Sequence, residues 1–167
     1  MAEQIAKSEI FIEVEKDLKL KGFEIISKDQ DRPWGGFFVI NENQATEFAM
    51  HYFEGIPVEG LRISGKLSPK ILIVAPGTRL SWQYHNRRAE IWKVIKGKVG
   101  VITSFTDIEG ELSVVYSGGL IKLEQGERHR LVGMEGWSVL AEIWQHTNLE
   151  VPSDEEDIIR VQDDFGR

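Results

Sequence analysis

From residue 61 onward the chain breaks into short apolar or alternating runs divided by turn residues, and this punctuation limits the fold more than any other feature. The runs are "LRISGK", "KILIVAP", "RLSWQYH", "EIWKVIKGKVGVIT", "ELSVVYSG", "GLIKLEQG", "HRLVG" and "GWSVLAEIWQH". Between them stand Pro76-Gly77, Glu109-Gly110, Gly118-Gly119, Gln125-Gly126 and Glu135-Gly136. Glycine at such junctions supplies backbone conformations that other residues avoid, so each pair ends one strand and begins the next. Many short strands separated in this way predict a mainly β sandwich or barrel.

The first 60 residues have a different texture. Ile10, Phe11, Val14 and Leu18 fall on one face of a helix that Gly22 can terminate. "FEIISKDQDRPWGGFFVIN" reads as strand, turn, strand; "NENQATEFAMHYF" as a short helix capped by Asn41 or Asn43; and "GIPVEG" as loop. The acidic tail after Pro152 and Ser153 opens with a helix start, so Asp154 to Asp157 are expected to be solvated. One structural domain is expected, with a helix and strand extension over residues 1–60 packed on a barrel over 61–167.

Composition removes several classes of function. Without cysteine there is no disulfide, thiolate metal site or cysteine nucleophile. A net charge of -7 opposes nucleic acid as a partner. The N-terminal residues are too charged for a signal peptide, and no run approaches the roughly 20 apolar residues of a membrane span. A cytoplasmic location without membrane contact is the expectation.

Residues 77–97 concentrate the chemistry. Gln83 and His85, two apart on a strand, point to the same face. With Glu90 on the paired strand of a hairpin, its carboxylate faces the same space, and His129, at the start of a separate strand, closes the group. Two imidazoles, a carboxylate and an amide oxygen form a mixed N/O donor set suited to Zn²⁺, Mn²⁺, Fe²⁺, Co²⁺ or Ni²⁺.

These segments resemble the two motifs of the cupin superfamily, a double-stranded β-helix or jelly roll. The first motif is Gly, five residues, His, one, His, three or four, Glu, six, Gly; here Gly77, His85, Glu90 and Gly97 match, and Gln83 takes the first histidine's place. In the second, Gly118, Gly126 and His129 match, while Glu124 replaces a proline and Gly133 an asparagine. "LSWQYHNRRAEIWKVIKGK" is similar to the "LSLQxHxHRxEHWxVVxG" stretch of type II mannose-6-phosphate isomerase domains, and "RPWG" and "EEDIIRVQDDFGR" are similar to that family's flanking signatures. The resemblance runs over about residues 30–167 and departs at Arg87 and Ile91, where the family has histidine. It covers the isomerase domain alone, so it implies no nucleotide-sugar synthesis.

The resemblance implies a jelly-roll fold with an N-terminal helical extension, one divalent metal (zinc first) on Gln83, His85, Glu90 and His129, and aldose–ketose isomerisation of mannose 6-phosphate. A homodimer is the expected assembly. Isomerisation needs a base to move a proton between C1 and C2, for which Glu142, Lys98 and His146 are candidates; Glu142 matches a family carboxylate. It also needs cations for the phosphate, for which Arg87, Arg88, Arg130, Arg160 and Arg167 are candidates. If the strand runs on past His85, Arg87 shares its face and Arg88 points away; a turn reverses this. Arg160 and Arg167 could equally tether the tail. Trp82, Trp92, Trp137 and Trp144 read as core or rim packing, and His51 as a surface residue. Two other readings stand beside the isomerase: a cupin that binds metal and sugar without turnover, and a metal-free cupin of the nucleotide-sugar epimerase or ketoisomerase type.

Overall fold

Alternation along three central strands explains most of the architecture. The computed structural model describes residues 5–62 and 65–166. Helix α1 (Lys7–Leu20) is followed by β1 (Ile25–Arg32) and β2 (Gly35–Ile40), a 3-10 turn (Glu42–Gln44), α2 (Ala45–Tyr52) and α3 (Val58–Leu61). The remaining strands are β3 (Lys70–Val74), β4 (Trp82–Tyr84), β5 (Arg88–Lys96), β6 (Lys98–Ser104), β7 (Leu112–Tyr116), β8 (Leu120–Leu123), β9 (Arg128–Gly133), β10 (Ser138–His146) and β11 (Ile159–Gln162). They form two antiparallel sheets, β1-β2-β3-β10-β5-β8 and β11-β4-β9-β6-β7.

Every residue of β3 is buried, and so is all of β10 except Gln145, because the six-stranded sheet is covered on both faces. Successive side chains point to opposite sides. Ile71, Ile73, Ile91, Val139, Ala141 and Ile143 face outward into a core shared with Phe11 and Leu18 of α1 and Phe48 of α2. Leu72, Val74, Trp92, Val94 and Leu140 face inward and meet Val99, Val101 and Leu131 of the five-stranded sheet. Each such side chain fully removed from water contributes roughly 1.5–3 kcal/mol. On the same inward parity, Lys70, Arg88, Glu90 and Glu142 are also buried. The barrel interior is thus apolar at one end and charged at the other.

The N-terminal elements follow the periodicity of their sequence. Ile10, Phe11, Val14 and Leu18 are the buried residues of α1, Gly22 has a positive φ of 85°, and the Asn41 side chain accepts from the Asn43 N–H at 2.9 Å. β1 and β2 add to the edge of the larger sheet through β2–β3 pairing. Three expectations need correction. "GIPVEG" holds the single turn of α3. The tail forms no helix among the described residues; it turns at 155–156 and pairs as β11 with β4. The "LRISGK" run, expected as a strand, holds none among its described residues: Leu61 is the last residue of α3, and residues 63 and 64 lie outside the described residues. No helix among the described residues is long and apolar enough to cross a membrane.

Both replacements in the second motif have local causes. The Glu124 N–H donates to the Glu127 carboxylate at 2.9 Å, which a proline could not do. A side chain at Gly133 would place its Cβ 2.0 Å from the Ala75 carbonyl oxygen, where backbone crosses backbone. Restoring the family's asparagine with Gly133→Asn is therefore expected to lower the thermal midpoint by roughly 5–10 °C, read by circular dichroism.

Candidate metal centre and its cavity

The donor cluster is built between the two sheets. Gln83 on β4 lies directly opposite His129 on β9, so their side chains share the inner face of the five-stranded sheet. Glu90 comes from β5 in the other sheet, not from a hairpin partner of β4. The ligand atoms of His85, Glu90 and His129 all lie within 4.8 Å of one another, and the three residues are buried.

Hydrogen bonds fix the direction of both imidazoles. His85 Nδ1 is 2.7 Å from the Asp157 carbonyl and His129 Nδ1 is 3.2 Å from the Glu127 carbonyl. A carbonyl only accepts, so each Nδ1 carries a proton and each Nε2 is turned toward Glu90. His85 Nε2 lies 3.1 Å from Glu90 Oε1, and His129 Nε2 lies 3.8 Å from Glu90 Oε2. His129 Nε2 is buried without a hydrogen-bond partner. Burial drives the His129 pKa down to about 4, which keeps the ring neutral. Burial alone would raise Glu90, but His85 and Arg88 outweigh it and hold the carboxyl well below its usual range. Two imidazole nitrogens and a carboxylate converging at these separations fit a divalent cation, whose bonds to such donors are about 2.0–2.2 Å. Carbonyl acceptors behind the ring nitrogens are the usual orienting contacts of ligating histidines.

Arg88 ties this cluster to the C-terminal segment. Its Nε donates to Glu90 Oε1 at 2.8 Å, its Nη1 to Ser153 Oγ at 2.8 Å and to the Asp154 carbonyl at 3.1 Å, and its guanidinium lies 3.6 Å over the Trp144 ring. Asp157, only 4% exposed, accepts the backbone N–H groups of Asn86 and Arg87, each at 2.9 Å, and the Ser153 hydroxyl at 2.6 Å. The expectation of a solvated acidic run is thus corrected at Asp157, which clamps the turn after His85.

A cavity of about 320 Å³ opens beside the cluster, lined by Gln83, His85 and Glu90 and by Lys70, Glu142 and Trp144, among others. Glu142 accepts the indole N–H of Trp92 at 2.9 Å and of Trp144 at 3.0 Å. Burial, and then the nearby Glu90 charge, push its pKa up to about 8.

The other expected site residues divide clearly. Because the chain turns after Tyr84, Arg88 faces inward and Arg87 outward, where its Nη2 is 3.4 Å from Asp154. Arg160 lines the cavity. Arg130 is bound to the Leu80 carbonyl, Glu109 and Gln162, which ties β9 to its neighbours. Arg167 lies outside the described residues. Lys98 pairs with Glu135 at 3.3 Å and does not line the cavity. His146 accepts from the Ser153 N–H at Nδ1 and meets Ser68 Oγ through Nε2 at 2.9 Å, also outside the cavity lining. Ile91 packs on the outer side of the sheet, away from the donors. Sequence reasoning missed Lys70 and Arg32, both on the lining. The signal for Lys70 was available: a lysine on the parity of Leu72 and Val74 in an otherwise apolar strand.

Comparison with known proteins gives a family and a fold. Residues 57–163 match the family described as mannose-6-phosphate isomerase C-terminal. No curated protein sequence matches the chain. Oxalate decarboxylase from Bacillus subtilis shares the fold at TM-score 0.56 and 16% identity, over 80% of this chain and 29% of that one. KdgF from Halomonas sp. does so at TM-score 0.51 and 13% identity, over 74% and 90%. CENP-C of Drosophila melanogaster, solved bound to CAL1, does so at TM-score 0.51 and 15% identity, over 71% and 76%. At these identities the likeness extends to the cupin barrel and not to activity.

Two outcomes are expected. In calorimetric titration with Zn²⁺, metal-stripped protein takes up one ion per chain; His129→Ala weakens binding by more than about 100-fold and Asp157→Ala by roughly 10–100-fold, because the Asp157 clamp positions the carbonyl that orients His85. In metal-stripped protein, the stability linked to Glu142 is full below its ordinary 4.5 and is lost as pH rises through about 8. Glu142→Gln removes that slope, a difference on the order of 3 kcal/mol in denaturant unfolding across the window.

Proposed function

The chain belongs to the mannose-6-phosphate isomerase C-terminal family, and on that premise we propose that it is a metal-dependent aldose–ketose isomerase acting on a sugar phosphate, with mannose 6-phosphate and fructose 6-phosphate as its pair. The observation that carries this reading is one cavity that places a buried N/O donor cluster beside a carboxyl tuned toward neutral pH and a buried ammonium. Its volume, about 320 Å³, falls in the range of small-molecule sites.

His85, Glu90, His129 and Gln83 would hold the ion, zinc being the first expectation. When bound, a divalent cation supplies positive charge for the carbonyl and hydroxyl oxygens of the sugar. Glu142 is the base of this reading: it takes the proton from one carbon and returns it to the neighbouring one. A pKa of about 8 suits that task, since both protonation states are accessible near neutral pH. The Trp92 and Trp144 indoles hold its two oxygens in place. Arg88 keeps Glu90 ionised and aligned. Cations at the cavity wall, Lys70, Arg32 and Arg160, supply attraction for the phosphate.

Incubating purified protein with Zn²⁺, Mn²⁺, Fe²⁺, Co²⁺ or Ni²⁺ and either sugar phosphate tests the proposal. Interconversion is expected with at least one metal, and Glu142→Gln should lower kcat by about 100-fold or more while metal binding persists. No interconversion with any metal, in folded and metal-loaded protein, contradicts it.

A further inference from the structure

Lys70 is the cation that the cavity treats most unusually. It opens β3 on the inward parity, and only 6% of it is exposed. Its ammonium lies 4.1 Å from the Trp144 ring centre and 5.0 Å from that of Phe37. Aromatic faces stabilise a cation, but a buried ammonium still requires a negative partner. Glu142 is its neighbour in register on β10, yet both Glu142 oxygens accept indole N–H groups. Among the described residues, the carboxylate hydrogen-bonded to Lys70 is that of Glu155.

The pair is asymmetric. The Lys70 side chain is 8% exposed and that of Glu155 is 65% exposed. The sheet and two rings fix the cation, whereas the anion reaches in from a turn at the cavity mouth. That turn is anchored on both sides without help from Glu155. Arg88 holds Ser153 and the Asp154 carbonyl, and Asp157 holds the backbone at 86 and 87. The Glu155 carboxylate can therefore leave Lys70 while the segment stays docked.

We infer that Lys70 binds the anionic group of the ligand, and that Glu155 is a latch that occupies this place until a phosphate monoester displaces it. The inference rests on the sugar-phosphate reading of the same cavity. One anion exchanges for another and no covalent bond changes. A phosphate brings more charge and more acceptor oxygens than a carboxylate, so it can win the exchange. Competition with the latch lowers apparent affinity by the fraction of molecules in which Lys70 is free.

The test is calorimetric binding of inorganic phosphate and of fructose 6-phosphate to metal-loaded wild type, Glu155→Gln, Lys70→Gln and the double variant. Glu155→Gln is expected to bind both ligands about 5- to 10-fold more tightly. Lys70→Gln should weaken both by more than about 10-fold, with no gain from adding Glu155→Gln. Glu155 is exposed, so its variant will fold and decides the matter even if Lys70→Gln does not. Unchanged affinity in Glu155→Gln overturns the latch, while fructose 6-phosphate binding by wild type would leave the substrate reading standing. Tighter binding without turnover keeps the latch and removes the isomerase. Folded, metal-loaded protein that binds neither ligand, with or without Glu155→Gln, overturns both.

Discussion

Glu90 is a carboxylate with 3% of its surface exposed, and an ionised group in that position has to be met by positive charge or cationic ligation. Much of the charged end of the barrel follows from this requirement. Arg88 stands two residues earlier on the same strand and reaches Glu90 from the side. Arg88 is itself buried, so its remaining donors need acceptors, and the C-terminal segment provides them at Ser153 and Asp154. Docking that segment brings the Asp157 carbonyl to His85 and turns its Nε2 back toward Glu90. The circuit closes on the residue where it began.

The same strands that carry these charges also hold the molecule together. On β3, β5 and β10 the outward residues join the helices, and the inward residues are apolar at one end and ionisable at the other. A rigid sheet buried on both faces is a suitable mount for a site, because its side chains have little freedom to drift. The price of this arrangement is a row of buried polar groups that must all be satisfied. Glu142 shows how: two indole N–H groups hold its oxygens, and burial raises its pKa to about 8 rather than leaving a second charge beside Glu90.

The barrel was legible in the sequence because glycine turns and two-residue alternation are local signals. β5 to β10 follow the runs that predicted them. His85, Glu90 and His129 come together and Gln83 stands opposite His129 in register, but the sheet that supplies Glu90 was not foreseeable, since sheet membership depends on pairing between distant strands. A single turn after Tyr84 decides which arginine enters the barrel, and Asn86 alone marks it weakly; it is held by Asp157, about seventy residues away. The acidic tail read as a solvated helix start because its composition is that of one. Its role depends on buried partners at Arg88 and in the 86–87 backbone that composition cannot reveal.

The central claim is that Glu90 and the two histidines are arranged for a metal ion. Crystals of metal-loaded protein, measured at the ion's absorption edge, test it most directly. The account predicts one anomalous peak about 2.0–2.2 Å from Nε2 of His85, Nε2 of His129 and a Glu90 oxygen, with the Gln83 amide oxygen completing the set. An empty map at this position, with the Arg88 guanidinium still on Glu90, would contradict it.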